Sequence, residues 1–246
     1  MSRTAYRRPD KVLVYLYRRL SSEGAANEIE YLLLQRYAET TNAGAIWQTV
    51  VGTVKWGEER VEAARREVFE ETGLTQLRGI TAIGFAFSFP IRLRKDQQSW
   101  YAPDVTVINN TVYASGVVTA RPIALCPEHV DFGWFPFAEA MARLHWPEEK
   151  EALARLHPMI AAQVQQKLYP KSSPQLSGFD IAGTVFSAEV MCGDYYDFIE
   201  MPDGLLAIAI GDVSGHGFGQ ALIGVQILPF IGRMSRQGFL GPIRQP

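Results

Sequence analysis

Cysteine is nearly absent from this chain: Cys126 and Cys192 are the two in 246 residues. Two thiols so far apart cannot build the disulfide framework of a small secreted domain, and they suit a reducing compartment, the cytoplasm. No stretch approaches the roughly 18 apolar residues that a membrane-crossing helix needs. The basic start MSRTAYRRPDK has no apolar run behind it and does not read as a secretory signal. An excess of one charge is also lacking. Lys and Arg number 24 against 26 Asp and Glu, a net −2, so neither nucleic acid nor a membrane surface is an expected partner. Asn109-Asn110-Thr111 matches a glycosylation sequon, which has no meaning in a cytoplasmic chain.

What remains is an ordinary globular composition, 47% hydrophobic and 20% charged, over a length that accommodates one large domain or two small ones. KVLVYLY (11–17), EYLLLQR (30–36), IWQTVVGTV (46–54), ITAIGFAFSF (80–89) and VTVINNTVYASGVV (105–118) are rich in Val, Leu, Ile and aromatic residues and read as strands. EHVDFGWF precedes two helical stretches, FAEAMARL (137–144) and PEEKEALARLHPMIAAQVQQ (147–166), with Pro147 suited to the first turn of the second. Strands and helices in this order predict a layered α/β domain. LYPKSSPQLSG (168–178) breaks the pattern with two prolines and three serines. The expected organisation is one domain over 1–167, a linker over 168–177 and a different segment over 178–246.

Residues 65–74 read RREVFEETGL. Gly57 is expected to open a helix with Glu58 and Glu59 in its first turn, at the positive end of the dipole, and Gly73 to cap its end. At 100° per residue Val61, Ala64, Val68 and Thr72 fall within about 80° and make the core-facing stripe. Glu67, Glu70 and Glu71 fall within about 100°, directly beside it. Like charges at i,i+3 and i,i+4 each cost a few tenths of a kcal/mol, more where water is partly excluded. Two readings follow. The face is solvated and neutralised by Arg60, Arg65 and Arg66, with Arg66 paired to Glu62 or Glu70. Alternatively, the carboxylates hold a hard divalent cation.

The preceding residues decide between them. GTVKWGEERVEAARREVFEETGL resembles the Nudix box, G-x5-E-x7-R-E-U-x-E-E-x-G-U, at Gly52, Glu58, Arg66, Glu67, Val68, Glu70, Glu71, Gly73 and Leu74. The resemblance implies a Nudix α/β/α sandwich with a mixed sheet and a loop–helix–loop binding Mg²⁺ or Mn²⁺. Glu67, Glu70 and Glu71 would be ligands together with the Gly52 carbonyl. Arg66 would orient the glutamates, and Glu58 would brace the loop. The general base would be Glu67 or a downstream residue. IWQTVVG, SWYAPDVT and EHVDFGWF are similar to dihydroneopterin triphosphate pyrophosphatases, in which an EH-x4-W context carries over to Glu128, with His129 and Trp134 in register. Glu128 is thereby a candidate ligand or base, and His129 reads as a hydrogen-bonded structural residue. Trp47, Tyr101 and Trp134 are candidates for stacking a heterocycle, and Arg92 or Arg94 for gripping a terminal phosphate.

The last segment is similar to the N-terminal part of a PPM-type serine/threonine phosphatase, in CGDYYDF, PDG and IGDVSGHG. That resemblance places Asp194, Asp212 and the Val213 carbonyl at a binuclear Mn²⁺ or Mg²⁺ site, with Cys192 where glycine is more usual. The family's later acidic motifs do not occur, so a partial α/β segment without phosphatase activity is expected. The leading expectation is a Mg²⁺-dependent pyrophosphohydrolase acting on a nucleoside-triphosphate-like or pterin-triphosphate small molecule. The alternative is a signalling protein in which the first domain senses a nucleotide and the phosphatase segment is the output.

Overall fold

The computed structural model describes residues 3–20, 28–36, 45–93, 97–118, 122–166, 169–186, 194–201 and 205–212. By contacts the chain divides into two compact units, the first reaching Leu156 and the second beginning at His157.

The first unit is built on one mixed sheet of β1 (Asp10–Leu20), β2 (Glu28–Arg36), β3 (Ile46–Gln48), β4 (Val50–Thr53), β5 (Thr81–Pro90), β6 (Val107–Gly116) and β7 (His129–Pro136). Its path runs β3-β2-β1-β6-β5, with β4 also on β1 and β7 also on β2. The β1–β6 pair is parallel and the others are antiparallel. The run IWQTVVGTV, expected as one strand, is two. The chain breaks at Thr49, whose hydroxyl donates to the Val14 carbonyl at 2.6 Å, and this lets the segment leave β2 and join β1. RLRKDQQSWYAP, between β5 and β6, contributes the short 3-10 turn Gln98–Trp100.

Side chains alternate across the sheet, and the two faces are covered differently. Val12, Val14 and Leu16 of β1, Leu32 and Leu34 of β2, Val50 and Tyr113 pack with Ala63, Ala64 and Val68 of α1 (Arg60–Thr72). Tyr15 points the other way and donates its hydroxyl to the Glu149 carbonyl of α3 (Pro147–Gln166) at 2.6 Å. α2 (Phe137–Arg143) lies on that same face, where Arg143 covers the rings of Trp47 and Phe135. The result is the expected α/β architecture with a mixed sheet between helical layers.

Among the described residues, the second unit contains an antiparallel hairpin of β8 (Asp194–Glu200) and β9 (Leu206–Asp212). Tyr196 anchors it: its ring stacks on Tyr169 at 5.8 Å and its hydroxyl donates to the Gly183 carbonyl at 2.7 Å. Ile208 and Ile210 of β9 are exposed. Val213, Cys192, Arg94 and the run from the SGHG turn to the end lie outside the described residues.

Candidate active site

α1 begins at Arg60, with Glu59 at its N-cap in extended backbone, rather than at Gly57. Glu58 is therefore a loop residue. Its carboxylate accepts the Lys55 peptide N–H at 2.8 Å and takes a two-pronged bond from Arg66, at 2.8 and 2.9 Å. Paired charge of this geometry is strong, and Arg66 holds Glu58 down to a pKa of about 2. The same guanidinium donates to the Thr53 carbonyl at 3.0 Å, to Glu67 at 2.7 Å and to Glu70 at 2.9 Å. One arginine thus ties β4, the loop and two helical carboxylates together. Of the two pairings expected for Arg66, Glu62 or Glu70, the one to Glu70 forms, while Glu62 bonds Arg65 at 2.9 Å. Arg60 turns back to Asp10 at 2.9 Å and neutralises none of the three box glutamates.

The C-terminal end of α1 is arranged otherwise. Gly73 adopts φ of 70° and donates to the Phe69 carbonyl, closing the helix. A Cβ there would meet the Ala124 methyl at 3.0 Å, so glycine also admits the 122–129 loop. That loop is pinned by Ala124 N–H to the Thr72 carbonyl (2.9 Å) and by Cys126 N–H to the Glu71 carbonyl (3.3 Å). Beneath it Glu71 is 9% exposed, and its Oε2 has no hydrogen-bond partner. Burial, with the charges of Glu67 and Glu128 adding to it, pushes its pKa up to about 9, against a peptide N–H from Val51 and the Arg36 charge. Burial also raises Glu67, over the opposing pull of Arg66. Ala63 joins the buried stripe beside Ala64, Val68 and Thr72, so the carboxylates meet a wider apolar surface than the spacing predicts.

These residues fit a hard divalent cation. Buried, partnerless carboxylate oxygen is costly unless a positive charge meets it. Gly52 fits too, since a Cβ there would overlap the Glu67 carboxyl, and only glycine lets that carboxyl approach the β4 backbone. As placed, no three His, Cys, Asp or Glu side chains among the described residues form a ready-made coordination cluster. Arg66 draws Glu67 and Glu70 to itself, while Glu71 faces the loop.

The remaining candidates separate by position. Glu128 is on the surface, its side chain 69% exposed and 3.6 Å from Arg36. Its neighbour His129 is the residue brought to Glu71, with Nε2 buried, without a partner and 3.8 Å from Oε2. His129 Nδ1 lies 3.3 Å from Cys126 Sγ. Trp134 pairs with Leu32, packs on the α1 side of the sheet, and has the Arg18 guanidinium 4.7 Å over its ring. Trp47 is on the opposite face: it pairs with Gln35, next to the α1-facing Leu34, and meets Phe135 edge-on at 5.2 Å. Tyr101 is 3% exposed and offers no open ring. Trp47 and Trp134 thus lie on opposite faces of the sheet, since the register that sets a strand residue's face comes from partners distant in sequence. Arg36 and Cys126 were missed by sequence reasoning. A signal existed for each: a charge ending an apolar strand, and a thiol three residues before His129. Asp194 and Asp212 face each other as a register pair at one end of the β8–β9 hairpin, both exposed.

Known proteins share the sequence and the fold of this region. Residues 8–156 match the NUDIX domain. The dihydroneopterin triphosphate diphosphatase of Escherichia coli K12 is 28% identical over 146 residues, 58% of this chain and 89% of that protein. A NUDIX hydrolase structure from Listeria monocytogenes superposes with a TM-score of 0.51 at 23% identity, covering 63% of this chain and 97% of that one. A shorter stretch of 63 residues is 43% identical to the phosphoserine phosphatase RsbU of Bacillus subtilis, and spans 26% of this chain but only 18% of RsbU. No helix among the described residues is long and apolar enough to cross a membrane. With the matched region covering more than half of its length, the chain belongs to the Nudix hydrolases, enzymes that act on diphosphate linkages and generally use divalent metal ions.

Proposed function

We infer that the chain is a Mg²⁺- or Mn²⁺-dependent pyrophosphohydrolase that cleaves a nucleoside-triphosphate-like small molecule between its α- and β-phosphates. The observation that carries this reading is Glu71, a buried carboxyl raised to about 9 with one oxygen unpartnered. In its ionised form such a group is destabilising unless a cation compensates it. Glu67, Glu70, Glu71 and the Gly52 carbonyl would hold the ion. When bound, the ion neutralises diphosphate oxygens and acidifies a water.

The chain's own residues supply the rest. Arg66 keeps Glu67 and Glu70 directed by two short bonds, and Glu58 fixes Arg66 in turn. Glu128 suits the role of general base better than Glu67. Its carboxylate is open to water and weakly paired to Arg36, whereas Glu67 is bound by Arg66 at 2.7 Å. The attacking water loses its proton to that carboxylate as its oxygen bonds the α-phosphorus. The bridging oxygen then departs with the terminal pyrophosphate. Trp134, on the α1 side of the sheet, is the proposed partner of a heterocycle in preference to Trp47 on the other face and the buried Tyr101. Dihydroneopterin triphosphate, yielding the monophosphate and pyrophosphate, is the proposed substrate, on the similarity to the Escherichia coli enzyme. The test compares kcat/KM for dihydroneopterin triphosphate with dATP and 8-oxo-dGTP. A clear preference for the pterin supports the assignment, and equal or better nucleotide turnover removes it.

A second reading rests on the register pair Asp194–Asp212 and on the short likeness to RsbU. In it, residues 178–246 derive from a PPM-type phosphatase and the Nudix domain is a sensor. Two aspartates alone make an incomplete binuclear site, so this chain should not dephosphorylate a phosphoserine peptide. Manganese-dependent turnover that is lost on Asp212→Ala would instead favour the second reading.

A further inference from the structure

Three polar groups meet under the 122–129 loop: the Cys126 thiol and the His129 ring, which have no part in the hydrolysis described above, and the unpartnered Oε2 of the proposed ligand Glu71. Sγ is 3.3 Å from Nδ1, and Nε2 is 3.8 Å from Oε2. His129 is 7% and Glu71 9% exposed, and neither Nε2 nor Oε2 has a hydrogen-bond partner. Two buried orphan atoms facing each other are rare in folded proteins. A shift of under about 1 Å would bring them within hydrogen-bond distance.

We propose that Cys126 and His129 are positioning residues for Glu71: the thiol donates to Nδ1, which keeps the ring protonated on Nε2, and that N–H meets Oε2. This rests on the reading of Glu71 as a metal ligand. The backbone pre-sets the arrangement, since His129 N–H donates to the Cys126 carbonyl at 3.1 Å and Cys126 N–H to the Glu71 carbonyl. The opposite tautomer would place a bare Nε2 lone pair against a carboxylate oxygen, acceptor against acceptor. A partner that fixes a ligating carboxylate from outside the coordination shell typically changes metal affinity by about 10–100-fold.

Long-range ¹H–¹⁵N correlation on the full chain with Mg²⁺ reads the His129 tautomer directly. A protonated Nε2 and bare Nδ1 is expected, and a protonated Nδ1 overturns the proposal. Mg²⁺ affinity, measured calorimetrically without substrate, gives the second readout. Cys126→Ala should weaken binding about 10-fold, Cys126→Ser should stay within about twofold because its hydroxyl still donates, and Cys126→Ala should add nothing in a His129→Gln background, where the amide N–H needs no tautomer. Unchanged affinity in Cys126→Ala, or an equal loss in the His129→Gln background, overturns the proposal. Glu71→Gln separates the two claims. If it binds Mg²⁺ like the wild type, the ligand assignment fails, while the tautomer of the unmodified chain still decides the relay.

Discussion

Glu58 and Glu71 belong to one acidic stretch, yet the molecule holds them in opposite ways. Glu58 is fixed by a two-pronged arginine and a peptide N–H and sits near pKa 2. Glu71 lies under a loop with an unpartnered oxygen and sits near 9. The N-terminal side of the site is therefore already neutralised by the protein, and the C-terminal side is not. On the proposed function, that unneutralised carboxyl is the one a bound cation would complete.

The sharpest way to break the contrast is to remove charge from its unsatisfied side. Glu71→Gln should reduce hydrolysis to below about a tenth of wild type at saturating Mg²⁺ while leaving the fold intact, and Glu70→Gln should do the same from the arginine-held side, because an amide oxygen is a weak substitute for a carboxylate ligand. Steady-state pyrophosphate release with circular dichroism checks this, and a rate above that level refutes the ligand assignment. Removing the satisfied side should act on stability instead. Arg66→Ala leaves Glu58, Glu67 and Glu70 without their shared partner and should cost about 3 kcal/mol in urea unfolding. Arg66→Lys should recover only part of it, since an ammonium cannot span the two-pronged contact. Equal stability of Arg66→Ala and wild type would show that the hub is ornamental.

A smaller effect sharpens the same comparison through pH. Glu71 has a folded pKa above its unfolded one, so in chelator its protonated form favours the fold fully below about pH 4.5. That contribution is lost as pH rises through about 9. Glu58 has the reverse sign: its contribution is present above about pH 4.5 and lost as pH falls through about 2. Glu71→Gln in EDTA should therefore melt higher than wild type at pH 8 by several degrees, with the gain gone at pH 4. A gain that does not change with pH would assign it to packing rather than to the buried carboxyl.

Much of this was legible in the chain. The glycines and apolar spacing around α1 predict its end at Gly73, and the strand runs lie within a few residues of their observed bounds, because short-range sterics and burial period control both. What was not legible depended on distant partners. Trp47 and Trp134 look equivalent as sequence, and only pairing with Gln35 and Leu32 puts them on opposite faces. Tyr101 reads as a loop aromatic, yet it is buried beside a turn whose Trp100 carbonyl accepts from Arg7 N–H at 2.7 Å. The placing of His129, not Glu128, beside Glu71 follows from the docking of a loop more than fifty residues downstream of that helix. The face assignment predicts the smallest effect. Trp134→Ala should raise KM by about 10-fold, the loss of about 1–2 kcal/mol of stacking, and Trp47→Phe should leave KM within about twofold. The reverse order would return the heterocycle to the other face.

The most direct test of the central claim counts protons. If Glu71 is protonated in the free chain and is a metal ligand, Mn²⁺ binding near pH 7.5 must expel its proton. Titration of the full chain in weak buffer should release about one proton per bound Mn²⁺ in the wild type and nearly none in Glu71→Gln, which should also bind far more weakly. Mn²⁺ binding of equal strength in both, with no proton released by either, would contradict the account.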